Sequence, residues 1–225
     1  MLSKTSTTLC GFGAGAACLI AVGAAPAAAD EGFYLGASVG WVLFSDQDFS
    51  VAPFTTVDTD LKSGADGSIY VGYNFGQFGA LGSVRADLQY SYREADVDSH
   101  SINGIAALNS FGKLKESAGF LNVYYDFDST GSQWVPYLGA GVGYGEVSFD
   151  NYGTLATGTV LDQTKGRWGY QLIAGLGYEI APQATLFADY KFRDYGDFDV
   201  TTTTLASTSL RARSSSFNFG FRYAF

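Results

Sequence analysis

Phe217-Asn218-Phe219-Gly220-Phe221-Arg222-Tyr223-Ala224-Phe225 carries an aromatic at every odd position and a small or polar residue at every even one. In an extended strand the period of two puts the five aromatics on one face and Asn218, Gly220, Arg222 and Ala224 on the other. Such a strand meets two different solvents. A soluble core could bury the aromatic face, yet the sequence stops on it with a phenylalanine, and a bilayer accepts that arrangement. Transmembrane barrel strands read apolar toward lipid and polar toward the lumen, with aromatics at the two interfaces.

Seven more stretches share this alternation. Residues 32–44 set Leu35, Ala37, Val39, Trp41 and Leu43 against Gly36, Ser38, Gly40 and Val42, and residues 68–75 set Ile69, Val71, Tyr73 and Phe75 against Tyr70, Gly72 and Asn74. A third strand alternates Val84, Ala86, Leu88, Tyr90 and Tyr92 with Arg85, Asp87, Gln89, Ser91 and Arg93. A fourth, less regular, places Leu121, Val123, Tyr125 and Phe127 opposite Asn122, Tyr124 and Asp126. The fifth, residues 134–149, opposes Leu138, Ala140, Val142 and Tyr144 to Tyr137, Gly139, Gly141, Gly143 and Gly145. The sixth runs from Arg167 to Ile180 with Trp168, Tyr170, Leu172, Ala174, Leu176 and Tyr178 on the apolar face; the seventh sets Leu186, Ala188, Tyr190 and Phe192 against Asp189, Lys191 and Arg193.

The connections alternate in length. Residues 45–67, 95–115, 150–166 and 194–215 read as long polar loops, the last of them able to extend its strands as a hairpin, whereas 76–82, 128–132 and 181–184 read as short turns. The expected fold is an eight-stranded antiparallel up-and-down transmembrane β-barrel over residues 30–225. Long loops on the extracellular side, short turns on the periplasmic side and both termini periplasmic are the arrangement such barrels use.

Alternation alone does not say which face is inside, since a lipocalin-like barrel shows it with the faces exchanged. Glycine decides. Gly36, Gly40, Gly72, Gly139, Gly141, Gly143, Gly175, Gly177 and Gly220 all fall on the polar face, where a water-facing surface gains nothing from deleting side chains. A crowded barrel interior does, because glycine leaves room for Arg, Tyr and Gln side chains crossing from opposite strands. The polar face is therefore read as the lumen. It carries Arg85, Arg93, Arg167, Lys191, Arg193 and Arg222 against Asp87, Asp126, Glu179 and Asp189, an expected ion-pair and hydrogen-bond network tolerable only if its members find partners. No open pore is expected at eight strands; a narrow conductance is the alternative if the network breaks.

Residues 1–29 hold Lys4, no acidic residue, an apolar run and Ala24-Ala25-Pro26-Ala27-Ala28-Ala29. That is the layout of a secretory signal peptide cut before Asp30. Cys10 and Cys18 would leave with it, removing thiol nucleophiles, disulfides and Cys-ligated metals. Losing Lys4 moves the formal charge from -9 to -10, and an acidic chain argues against nucleic-acid binding. The sequence has no candidate transmembrane helix outside this segment, which leaves a closed barrel as the way to satisfy backbone groups in lipid. The 29 glycines, 18 phenylalanines and 15 tyrosines favour strands over helices.

Chemistry finds little footing. His100, the only histidine, lies beside Ser99 and Ser101 in an expected loop, where neighbouring residues do not build nucleophile, base and orienter geometry. Asp194, Asp197 and Asp199 offer carboxylates without the regular oxygen-ligand spacing of a calcium loop. No catalytic, cofactor or metal residues are expected. Asp46, Asp48, Asp58, Asp60, Asp96, Asp98, Asp150 and Asp162 would face anionic lipopolysaccharide, bridged by divalent cations.

Asn122-Val123-Tyr124-Tyr125-Asp126-Phe127, Pro136-Tyr137-Leu138-Gly139-Ala140-Gly141-Val142-Gly143-Tyr144 and Gly220-Phe221-Arg222-Tyr223-Ala224-Phe225 resemble the OmpA-like outer-membrane β-barrel superfamily, which includes the Omp25/Omp31-type surface proteins of alphaproteobacteria. The resemblance implies a non-enzymatic surface barrel embedded in outer-membrane lipids and lipopolysaccharide. It also implies that Phe221, Tyr223 and Phe225 form the C-terminal signal read by the outer-membrane assembly machinery. A peptidoglycan-binding domain is not expected after the eighth strand. Relatives that conduct small solutes, or bind haem or host molecules through their loops, keep a channel and a loop-mediated adhesin or ligand binder as alternatives.

Overall fold

The computed structural model describes residues 31–45, 47–50, 56–61, 63–102, 105–106, 110–128, 132–154, 158–201 and 207–225. The expected signal segment and Asp46 lie outside the described residues. Eleven strands follow in chain order among them: β1 Gly32–Phe44, β2 Gln47–Ser50, β3 Thr56–Leu61, β4 Gly64–Gln77, β5 Ser83–Ile102, β6 Ile105–Ala106, β7 Ser110–Asp126, β8 Trp134–Thr154, β9 Gly158–Ala181, β10 Ala184–Thr201 and β11 Ser207–Ala224.

Eight of these close a barrel. The neighbour order is β1, β4, β5, β7, β8, β9, β10, β11, and β11 pairs back onto β1 from Tyr34 opposite Ala224 to Phe44 opposite Ser214. Every pair is antiparallel. Phe225 N donates to Phe33 O at 2.9 Å, so the seam is bonded to the last residue. Closure leaves the wall without a free edge, the condition for placing strands in hydrocarbon.

The residues expected as long loops are largely strand. β4 begins at Gly64, β5 runs to Ile102, β7 begins at Ser110, and β8 and β9 pair up to Thr154 opposite Gly158. β2 and β3 form a further hairpin laid against the end of β5, and His100 pairs there with Thr59. The reason is physical: toward the hairpins the outward positions turn polar or small (Ala65, Gly67, Glu94, Asp96, Lys113, Lys115), so the apolar alternation fades while the backbone still pairs and the inner face stays buried at Ala95, Leu114 and Val147. At 24 residues β9 is more than twice the roughly 9–11 residues a tilted strand needs to span a bilayer.

The faces are those of an inverted protein. Leu88 is 61% exposed and Phe219 57%, while Arg93, Lys191 and Arg193 are fully buried. The aliphatic exterior (Leu35, Val71, Leu121, Leu138, Leu172) is bounded at the short-turn end by Phe33, Tyr73, Phe75, Trp134 and Tyr178, with edge-on contacts such as Phe33 to Tyr73 at 4.9 Å. Toward the hairpins it ends at Trp41, Tyr144, Trp168, Tyr190 and Phe217. From Phe33 to Trp41 the chain rises roughly 26 Å, or about 20 Å along the axis after tilt, close to the apolar band of an outer-membrane barrel.

Most lumen glycines make room for a side chain on the adjacent strand, Gly145 of β8 under Tyr195 of β10 being an exception. Tyr34 pairs with Gly72, Tyr124 with Gly139, Phe120 with Gly143, Tyr137 with Gly175 and Phe187 with Gly220. In each case a Cβ on the glycine would overlap atoms of that ring. The expectation that side chains cross from opposite strands is thus corrected: each ring covers the residue directly beside it, and the polar heads then reach across.

Candidate functional site

Period-two geometry points one side chain in two inward, and eight strands leave a space only a few side chains wide. That space is filled in tiers. Nearest the short turns, Arg85 Nε binds both carboxylate oxygens of Asp126, at 3.1 and 2.7 Å. The same guanidinium lies 3.8 Å from the Tyr124 ring centroid and donates to Tyr34 OH at 3.2 Å. Tyr34 OH and Asn122 Nδ2 donate to Asp87 at 3.0 and 2.8 Å. Arg222 stands 3.9 Å from Asp126 and over the Tyr34 ring.

In the middle tier, Lys191 Nζ lies 3.4 Å from Asp189 and donates to Tyr70 OH at 2.9 Å, while Ser38 closes on the same phenol. Asp189 also accepts from Tyr137 OH and Asn218 Nδ2, each at 3.1 Å. Gln171 joins Gln89 at 2.8 Å and Asn122, and it accepts two bonds from Arg193.

Toward the hairpins, Arg193 pairs with Glu116 and reaches Ser91 Oγ at 3.1 Å. Arg93 binds Asp66 through Nε and Nη2 at 3.0 and 2.9 Å, and donates from Nη1 to Ser214 and from Nη2 to Ser216. Tyr195 closes the tier. A bulge between Asp194 and Asp197, with Gly196 at φ 72°, turns the phenol inward over Gly145 and Gly169, where it donates to Glu116 at 2.9 Å. Glycine suits that left-handed backbone. Asp194 accepts from Arg213 at 3.1 and 3.2 Å.

Among the described residues only one buried side-chain polar atom, Asn218 Oδ1, lacks a hydrogen-bond partner. A void of about 20 Å³ remains between Tyr34, Tyr70, Tyr124, Phe187 and Arg85, room for about one water. A vestibule of about 280 Å³ opens at the short-turn end, lined by Arg222, Asp126, Glu179 and Gln183, and ends at the Arg85 tier.

The structure brings Arg85, Asp87, Arg93, Asp126, Asp189, Lys191, Arg193 and Arg222 together in the lumen. It places the other two expected members at the ends. Glu179 is exposed on the vestibule wall, and Arg167 is exposed near the hairpins, bonded to Asp197 O. Tyr195 occupies the interior at the height of Gly145, the pairing partner of Arg167, so the guanidinium lies at the rim. Asp66, Glu116 and Asp194 are three further anions of the network, which the sequence pattern assigns to or beside the long loops 45–67, 95–115 and 194–215. The signal was present: Asp66 continues the phase of Ser68, Tyr70 and Gly72, and Glu116 that of Asn122, Tyr124 and Asp126.

No cluster of three or more His, Cys, Asp or Glu residues fit for a metal occurs among the described residues. Beyond the aromatic belt Lys113 bonds Glu94 and holds that carboxyl below its ordinary value, chiefly through this hydrogen bond.

Comparison with known proteins agrees with this geometry. Uncharacterized proteins of Brucella abortus and Brucella suis are each 29% identical over 164 residues, covering 62% of this chain and 54% of theirs. The chain thus spans about half the length of these relatives. Neisserial surface protein A shares the fold with a TM-score of 0.50 at 20% identity, covering 86% of this chain and 97% of that one. OprG of Pseudomonas aeruginosa does so with a TM-score of 0.53 at 15% identity, covering 88% and 97%. The sequence matches the outer membrane protein beta-barrel domain over residues 14–225, and with its lipid-facing wall and filled interior the chain belongs to that outer-membrane family.

Proposed function

We propose that this chain is a structural, surface-presenting barrel of the outer membrane, acting through a rigid wall and four exposed hairpins rather than by catalysis or conduction. The observation that carries the reading is the lumen: among the described residues, three tiers of mutually neutralising ions with voids of about 20 and about 10 Å³ between them. Buried ion pairs this well bonded break only at a cost of several kcal/mol, so thermal opening of a water path is rare. In planar bilayers the purified barrel is expected to give no stable single-channel steps. Steady, ion-selective steps would favour the alternative of a narrow solute channel entered through the vestibule.

The same reading puts the hairpins outside, the short turns and both termini in the periplasm, and residues 1–29 in a signal peptide removed at export. Loop-held ligands, haem or host molecules among them, would meet the hairpins. Phe221, Tyr223 and Phe225 act as the insertion signal for the assembly machinery, supported by their place on the outer face of the closing strand. Phe225→Ala is expected to lower the folded, heat-modifiable protein recovered from outer membranes, while the refolded variant keeps its stability within about 0.5 kcal/mol. Equal recovery of variant and wild type would assign Phe225 to packing alone.

A further inference from the structure

At the short-turn end, Arg222, Thr185 and Glu179 stand in one row across β11, β10 and β9, with Thr185 paired to both. All three line the vestibule of about 280 Å³, with Glu31 ahead of β1 at its mouth. Two of them contribute no side-chain hydrogen bond to the fold. Arg222 comes within 3.9 Å of Asp126, but both oxygens of that carboxylate accept from Arg85, and among the described residues nothing accepts from the Arg222 guanidinium. Thr185 is 8% exposed, and its hydroxyl likewise has no partner among the described residues. Buried polar groups are ordinarily satisfied, so the partner for these two comes from the vestibule.

The wall offers further donors. Asn74 Oδ1 already accepts from Gly76 N at 3.1 Å, Gln133 Oε1 from Tyr178 OH at 3.2 Å and Gln183 Oε1 from Tyr223 OH at 3.3 Å, which leaves the three NH2 groups to the cavity. Charge narrows the occupant. With Arg85 and Asp126 paired, Arg222 faces Glu31, Asp128 and Glu179, so a plain anion is repelled and a plain cation leaves Arg222 unmatched. Arg222 and Glu179 do not pair with each other, and a ligand carrying both charges fits between them.

We propose that the vestibule binds a small zwitterionic peptide of dipeptide size. Its carboxylate takes the Arg222 guanidinium and the Thr185 hydroxyl, its peptide carbonyl accepts from the wall amides, and its ammonium donates to Glu179 and Glu31. The volume agrees, since small-molecule clefts begin at about 300 Å³ and a dipeptide is among the smallest ligands with all three groups. The site needs no pore, because the vestibule ends at the Arg85 tier. It holds whichever side of the membrane the short turns face.

Isotope-labelled barrel in detergent micelles, titrated with L-alanyl-L-alanine, is expected to show saturable shifts of the Thr185 and Gln183 amide signals. The N-acetylated dipeptide, which lacks the ammonium, and the dipeptide amide, which lacks the carboxylate, should each bind at least about tenfold more weakly. Glu179→Gln should weaken the dipeptide at least about tenfold and leave the N-acetylated form within about twofold. Arg222→Gln should weaken the dipeptide at least about tenfold and leave the dipeptide amide within about twofold. Heat-modifiable migration verifies that each variant folds; Glu179 is exposed and outside the ion tiers, so its variant carries the test should Arg222→Gln fail to fold. No saturable shift with the dipeptide overturns the site. Equal binding of the dipeptide and its N-acetylated form overturns the zwitterion assignment, and unchanged binding by Glu179→Gln overturns the placement of the ammonium.

Discussion

Arg193→Ala is expected to destabilise the barrel, at most by about 3–5 kcal/mol, because among the described residues it leaves the buried Glu116 with only Arg93, 3.9 Å away, and the Tyr195 hydroxyl to balance it. Arg193 is the junction of the lumen: it holds Glu116, two bonds to Gln171 and one to Ser91, and its guanidinium lies 4.2 Å from the Phe120 ring centroid. Removing it unties the upper tier from the middle one. The double variant Arg193→Met with Glu116→Leu should recover most of the loss, since well-packed apolar residues often replace a buried pair at little cost. Urea unfolding in lipid vesicles, followed by tryptophan fluorescence or heat-modifiable migration, measures both. A single variant as stable as wild type would mean that water or a rearranged partner neutralises Glu116, and the sealed-lumen reading would lose its support.

Leu121→Arg is the matching experiment on the outside. Leu121 is 52% exposed in a row with Leu88 and Val142, near the middle of the aliphatic band. There an arginine costs about 2–4 kcal/mol in a bilayer, against about 0–1 kcal/mol near an interface. Leu81→Arg, in the short turn and 63% exposed, serves as the interfacial control. A water-facing Leu121 would tolerate the change within about 0.5 kcal/mol. Equal, small effects at the two positions in vesicles would therefore argue against hydrocarbon at this wall.

Much of the fold was legible because its main signal is local. Alternation in residues 84–93 and 217–225 follows from strand geometry and from having lipid on one side only, so strand number and phase could be read one segment at a time. The glycine faces gave inside from outside by the same reasoning. Toward the hairpins the outward positions turn polar or small, as at Glu94, Asp96, Lys113 and Lys115, and the contrast fades. Residues 64–67 are Gly, Ala, Asp and Gly, and a bulge breaks the phase between Asp194 and Asp197, which is why Asp66 and Asp194 read as loop residues although both are buried.

What the sequence determined by itself is which side chains point inward: Arg85, Lys191 and Arg193 are lumenal whatever they meet there, because the period of two is fixed by the backbone. Which of them meet was decided by the closed barrel. Lys191 finds Tyr70 across 121 residues and Arg93 finds Ser216 across 123, pairings set by strand register and by the seam between β11 and β1. The inward turn of Tyr195 depends likewise on a bulge and on two glycines of neighbouring strands. Register and closure are properties of all eight strands at once, and no single stretch contains them.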